Sequence, residues 1–197
     1  MTNTANKRWQ RLNNAMEHYQ DFIKAKASRH QLSVEDLIHI SNFKGGNASI
    51  TEPKQALQQK LPAYESIMRQ LHQRFAGKTL KSLHAAELQQ LITLCEEMLA
   101  LTQKPETEIS GFGPSYCSAL LAAHFLDLIP ILDRRILNGA GIKVAYNSSK
   151  QVKNMQQHYP ALITRCHQQL QNSDRTLRQL DLLWFQQPMP WDLEPQQ

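Results

Sequence analysis

Between residues 109 and 142 the chain reads ISGFGPSYCSALLAAHFLDLIPILDRRILNGAGI, and its chemistry-bearing residues crowd there. Gly111 and Gly113 flank Phe112, and Pro114 follows. Glycine takes positive φ without penalty and lets another backbone approach closely. Proline fits the first position of a helix, where its missing N–H costs nothing. A helix opening there would turn free N–H groups near Ser115 and Tyr116 outward, as an anion site. Asp133 then precedes Arg134 and Arg135. A carboxylate in that place suits two jobs. It can cap the helix RRILNG, or it can stabilise positive charge on a sugar and orient an attacking water. The Gly-x-Gly turn alone also suits a hairpin that merely packs two helices together.

Charge points the same way. The chain carries a formal net charge of +5 and a pI near 9.2. From Arg134 to Ser173 there is no Asp or Glu, while Arg134, Arg135, Lys143, Lys150, Lys153 and Arg165 all fall there. Such a one-sign segment either faces a polyanion, binding it through counterion release, or is a solvated basic face. Tyr146 lies within it and is the best-placed ring to stack on a flipped base. Trp9 and Trp184 sit on apolar stripes, which predicts core packing. His124 lies on the helix after the glycines, near the same pocket or in a satisfied polar position.

Other chemistries find little. The eight histidines make no metal pair with a nearby carboxylate, and no metal is expected. Cys95, Cys117 and Cys166 are odd in number and far apart, so they form no disulfide framework and no zinc or iron–sulfur spacing. They read as reduced thiols of a cytoplasmic chain. The opening MTNTANKRWQ has no apolar core behind its basic residues, so no secretory signal is expected, nor any membrane span. FKGGN resembles a phosphate-cradling loop only superficially and has no Walker pattern.

The elements that must position these residues read as helices. Gly (7) and Pro (9) are few and aromatics are 7%, so the turn signals and β-branched clusters of an all-β protein are missing. The expectation is a single all-α domain spanning 1–197. Apolar spacings of three and four predict helices over 5–29, after Ser33, over 54–76 with an interruption at Pro62, and over 84–102. Further helices are expected over about 114–126, from Asp133 to about Asn138, near 150–158, over 160–172 and over 174–187. The segments 44–53 and 139–149 read as loops, and the last ten residues as a tail.

The run GFGPSYCSALLAAHFLDLIPILD resembles the helix-hairpin-helix DNA glycosylases, a superfamily defined by a Gly-hydrophobic-Gly hairpin and a following catalytic Asp. It is most similar to the adenine glycosylase branch, which also carries Ser at the Ser115 position and a PILD-like ending. The resemblance covers about 34 residues, with the hairpin over about 104–126 and the Asp helix over 133–139. It implies that Gly111, Gly113 and the N–H groups of Ser115 and Tyr116 hold a DNA phosphate, with a monovalent cation at the hairpin. It implies that Asp133 stands at the mouth of the base pocket, with Ser115 beside it. Arg134, Arg135, Lys143 and Lys150 would supply further DNA contacts, and Tyr146 and His124 would line the base pocket.

The departures from the family carry consequences. Ser115 stands where bifunctional members have the lysine that attacks the sugar, so the resemblance implies a monofunctional enzyme. The four-cysteine iron–sulfur cluster is absent, as is the C-terminal recognition domain of the adenine branch. Ser110 replaces the proline that usually precedes the first glycine. The second acidic residue of the adenine enzymes stays open among Glu35, Asp36 and Glu52. The expectation is a monomeric base-excision glycosylase acting on double-stranded DNA, in repair or in phage defence. The alternatives are a non-catalytic hairpin module that binds DNA and a scaffold in which the hairpin only packs.

Overall fold

In a computed structural model the protein is described over residues 2–46 and 49–192; residues 193–197 of the expected tail lie outside that range. The described residues form eight α-helices in order: α1 (Thr2–Ala25), α2 (Val34–Phe43), α3 (Lys54–Phe75), α4 (Ala85–Ala100), α5 (Pro114–His124), α6 (Arg134–Gly139), α7 (Tyr159–Gln171) and α8 (Leu177–Phe185). Among the described residues there is no β-strand, only one bridge between Tyr146 and Val152. The all-α expectation holds. No described helix is long and apolar enough to cross a membrane.

The centre of the molecule is α5. Every residue from Cys117 to Ala123 is buried, so this helix is apolar all round, as a helix enclosed by others must be. It packs against α1, α2 and α4, while α7 lies on α4 and α8 lies on α6 and α7. The α6–α8 contact is close enough to need a glycine. A Cβ on Gly139 would stand 2.4 Å from the Trp184 carbonyl oxygen.

Two elements differ from the expectation. α3 runs unbroken through Pro62. Pro62 and Gln58 are both exposed, so the carbonyl that loses its donor meets water instead of a dry interior. The expected helix near 150–158 is instead a loop closed by a single 3-10 turn over Met155–His158. Lys150 (φ 57°) and Asn154 (φ 48°) both sit in the left-handed region, which ends helices. The Asn147 side chain adds hydrogen bonds from the Ser149 and Gln151 N–H groups, at 3.0 and 2.9 Å.

At the far end of α5 lies a cluster of imidazoles. His124 meets the Tyr19 hydroxyl at 3.3 Å, and His72 lies between His30 and His124 at ring separations of 4.3 and 6.3 Å. His30 Nδ1, His72 Nε2 and His124 Nδ1 are sealed from solvent and find no hydrogen-bond partner among the described residues. Burial, then the neighbouring charges, pushes His72 down to about 4 and His124 down to about 3. Folded pKa values below the unfolded value of about 6.5 mean that the unfolded chain binds more protons in this window. Stability from these groups is therefore complete above about pH 6.5 and is lost as pH falls toward 4 and then 3. Between pH 7 and 5 the wild type is expected to lose about 1–2 kcal/mol more than His124→Leu. Urea unfolding at the two pH values reads the difference, and equal slopes would remove the imidazole from the account.

Candidate DNA-binding groove and hairpin

The hairpin is built at the entry to α5. Gly111 takes φ 78°, which a side chain would resist, and the Phe112 N–H closes the turn on the Ile109 carbonyl at 2.9 Å. Phe112 is buried edge-on against Tyr64, their centroids 5.8 Å apart, so the apolar residue between the glycines anchors the turn. Glu52 fixes its outer edge, accepting from the Ser110 N–H at 3.0 Å and from Lys60 at 2.7 Å. Gly113 differs from the expectation of positive φ. It is extended at φ −83° and ψ −175°, and a Cβ there would touch nothing within 4 Å. The fold itself does not ask for glycine at 113. The Tyr116 N–H is donated back to the Gly113 carbonyl at 3.0 Å, which leaves the Ser115 N–H as the outward donor of this helix start.

Asp133 is held from both sides of its chain. The Tyr159 hydroxyl donates to the Pro130 carbonyl at 2.7 Å, and the buried Ser118 hydroxyl accepts from the Leu132 N–H at 2.9 Å. Those bonds fix the PILD segment against α5 and α7. Asp133 Oδ1 then caps α6 by accepting from the Arg135 N–H at 2.9 Å. Its other oxygen, Oδ2, lies 2.8 Å from Lys44 Nζ. Lys44 ends α2, where its own N–H and those of Gly45 and Gly46 bond back to the Ile40, Asn42 and Ser41 carbonyls. Burial alone would raise the Asp133 pKa. The Lys44 charge and hydrogen bond, the Arg135 N–H and the Arg134 charge outweigh it, and hold the carboxyl below its usual range. Asp133 is an ionised carboxylate at neutral pH.

Around this pair opens a groove of about 1100 Å³. Pockets for small ligands run to roughly 300–1,000 Å³, so this one has room for an extended ligand. Its lining includes Lys7, Arg11, Lys44, Arg134, Arg135 and Arg178, against Asp133 and Asp181. Tyr116 and Trp9 face into it as well. A cleft with that excess of cations concentrates field and draws in an anion. Tyr116 is the link to the hairpin, because it belongs to the first turn of α5 and also lines the groove.

The expected site residues do not all meet. Asp133, Arg134, Arg135 and Tyr116 share the groove. Gly111, Gly113 and Ser115 sit at the hairpin, outside the groove lining; Ser115 is half-buried, and its carbonyl accepts from the Ser118 hydroxyl. Lys150 and Tyr146 gather with Arg134 around Trp191. The Lys150 ammonium stands 5.1 Å above that ring, the Arg134 guanidinium 5.6 Å, and Tyr146 meets it edge-on at 5.2 Å. Lys143 is exposed and apart from the groove. His124 lies in the imidazole cluster at the opposite end of α5 from the hairpin.

None of the open carboxylates joins Asp133. Glu35 is exposed, Asp36 is buried against Lys26 and the Tyr19 hydroxyl, and Glu52 serves the hairpin edge. The groove instead brings in Lys44, Arg178 and Asp181, which the sequence reading passed over. For Asp181 a signal existed, since it shares the buried face of α8 with Leu177, Leu180 and Trp184. An acidic residue on an apolar stripe is out of place unless it has a task. Among the described residues no group of three or more His, Cys, Asp or Glu side chains is placed to hold a metal ion. Comparison with family models, with curated proteins and with solved structures finds no match for this chain.

Proposed function

We propose that the protein is a helix-hairpin-helix DNA glycosylase that hydrolyses the N-glycosidic bond of a modified or mispaired base in double-stranded DNA. The observation that carries this reading is Asp133, an ionised carboxylate at a helix start inside a cation-walled groove next to a Gly-Phe-Gly hairpin. The hairpin holds a phosphate through the Ser115 N–H, with open space at Gly113 for its approach. Arg134, Arg135, Lys7 and Arg11 take the flanking phosphates. Asp133 faces the sugar of the extruded nucleotide, where its fixed charge stabilises the cation that develops as the bond breaks. Trp9 and Tyr116 offer rings for the base.

A second reading is favoured by two contacts. Both Asp133 oxygens are already engaged, one by the Arg135 N–H and one by Lys44, as in a purely structural N-cap. On that reading the protein binds DNA and catalyses nothing.

The two are separated by one pair of measurements. Duplex binding is expected to weaken steeply with salt, by about 10³-fold between 50 and 200 mM for six or so phosphate contacts. Neutralising Arg134 and Arg135 together is expected to reduce the salt slope by about two. Free base released from a lesion panel then distinguishes the glycosylase from the binding module. Binding that is absent at low salt, or flat as salt rises, removes both readings.

A further inference from the structure

Arg134 and Lys150 are brought to one ring by three separate pieces of chain. Trp191 stands in the 3-10 turn Pro190–Asp192 after α8, with the Arg134 guanidinium 5.6 Å and the Lys150 ammonium 5.1 Å from its ring centre. The two cations are also tied to each other, since Arg134 Nη1 donates to the Lys150 carbonyl at 2.8 Å. Asp133 feels the Arg134 charge, but no carboxylate of the described residues pairs with either cation. The placement of Lys150 is enforced by its turn. It takes φ 57°, which a residue with a side chain holds only where its surroundings impose it. Its N–H donates to the Asn147 carbonyl at 3.0 Å, and the Asn147 side chain accepts from the Ser149 and Gln151 N–H groups on either side. Ser149 and Gln151 line the groove, so exposed Lys150 stands at its rim. The turn that carries Trp191 is anchored without the indole. Met189 is fully buried, Asn138 of α6 donates to the Pro188 carbonyl at 2.9 Å, and the Asp192 carboxylate accepts from the Met189 N–H at 3.1 Å.

We propose that Trp191 is a positioning residue for DNA, holding Arg134 and Lys150 as a two-cation clamp on a backbone phosphate at the groove rim. The proposal rests on the DNA-binding reading of the groove, which the glycosylase and the binding module share. Two like charges repel, and gathering them on one ring costs free energy that the negative face of the indole offsets in part. A phosphate between them supplies the missing charge and accepts charge-assisted hydrogen bonds from both. A guanidinium laid on a ring keeps its N–H edge free for phosphate oxygens, and its rotamer freedom is already lost before DNA arrives. Arg135, the next residue, lies over Phe185 in the same way, at 5.4 Å. The end of α8 and the turn after it thus aim both arginines of α6. On this account neither Trp191 nor Tyr146 stacks on a base. The indole is given to the two cations, and Tyr146 braces its edge at 5.2 Å.

The test is a double-variant cycle on the full chain, read by anisotropy of a short labelled duplex between about 50 and 200 mM salt. Lys150→Met is expected to weaken binding about five- to tenfold and to reduce the salt slope by about one. Trp191→Ala removes no charge, yet is expected to weaken binding by about the same factor, because both cations lose their place. Trp191→Phe keeps a ring and is expected to stay within about twofold of wild type. Adding Lys150→Met to Trp191→Ala is expected to cost less than about twofold more, since the clamp is already open. A folded Trp191→Ala that binds like wild type overturns the proposal. So does a double variant whose two losses simply multiply, which makes the ring and the lysine independent. A Trp191→Phe as weak as Trp191→Ala overturns the role of the ring as a cation platform. Lys150→Met with wild-type affinity and salt slope overturns the clamp whatever becomes of the tryptophan variants, including their failure to fold. Each of those outcomes leaves the DNA-binding reading standing. Wild type that binds no duplex at low salt removes that reading, and the clamp goes with it.

Discussion

Asp133→Asn is expected to reduce base release by at least about a hundredfold, the scale of losing one charge aimed at a transition state. Duplex affinity is expected to stay within a few-fold, since the cations lining the groove are untouched. The local fold should survive because asparagine caps helices nearly as well as aspartate, and its side-chain oxygen can still accept from the Arg135 N–H. The structure adds one cost that the cap alone would not. Lys44, 12% exposed, loses the carboxylate charge but keeps an amide oxygen to donate to. A stability loss of about 1 kcal/mol follows, readable by urea unfolding. Three outcomes are distinct. An inactive, folded, DNA-binding variant supports catalysis by the carboxylate. A variant that unfolds makes Asp133 structural, and one that stays active removes it from the chemistry.

The sequence-level reading succeeds where neighbours in space are neighbours along the chain. Asp133, Arg134 and Arg135 stand in a row, and an N-cap followed by a helix brings them to one place. The hairpin is legible for the same reason, because Gly111, Phe112 and Pro114 each dictate a local conformation. Helix order follows from apolar period. Its failures have local causes, namely an exposed Pro62 that water can rescue and two left-handed residues in a stretch that looks helical by composition. What periodicity could not give is the far wall of the groove. Lys44 reaches Asp133 across 89 positions, and only the packing of α2 on α5, with Leu132 bonded to Ser118 of α5, brings them together. FKGGN reads as an ordinary helix exit, and its lysine acquires meaning only from what faces it. The counterexample is His124, which its place on the helix after the glycines made a pocket candidate. An 11-residue helix separates its two ends by about 16 Å, and His124 is at the end away from the hairpin.

The Lys44–Asp133 pair yields the sharpest stability prediction. Both side chains are mostly withdrawn from water, at 12% and 27% exposure, so each depends on the other to offset its desolvation. Lys44→Met keeps the length of the side chain and removes its charge. Burial then acts on Asp133 with less opposition, and its pKa moves up from its present depressed position. The sign follows from linkage. In the wild type a depressed Asp133 adds stability that is present above about pH 4 and is lost as pH falls through the folded value. In Lys44→Met that contribution shrinks or reverses, so the variant is less stable than wild type at pH 7, by about 1–3 kcal/mol. The gap should narrow as pH is lowered toward 4, because Asp133 of the variant takes up a proton in that window and sheds its unpaired charge, while Asp133 of the wild type stays ionised. Adding Asp133→Asn to Lys44→Met should restore most of the lost stability at pH 7, because the carboxylate left unpaired is then gone. Urea midpoints for the four proteins at pH 7 and 4.5 complete the cycle. A double variant no more stable than Lys44→Met, or a gap that does not change with pH, would mean that the ion pair contributes nothing measurable.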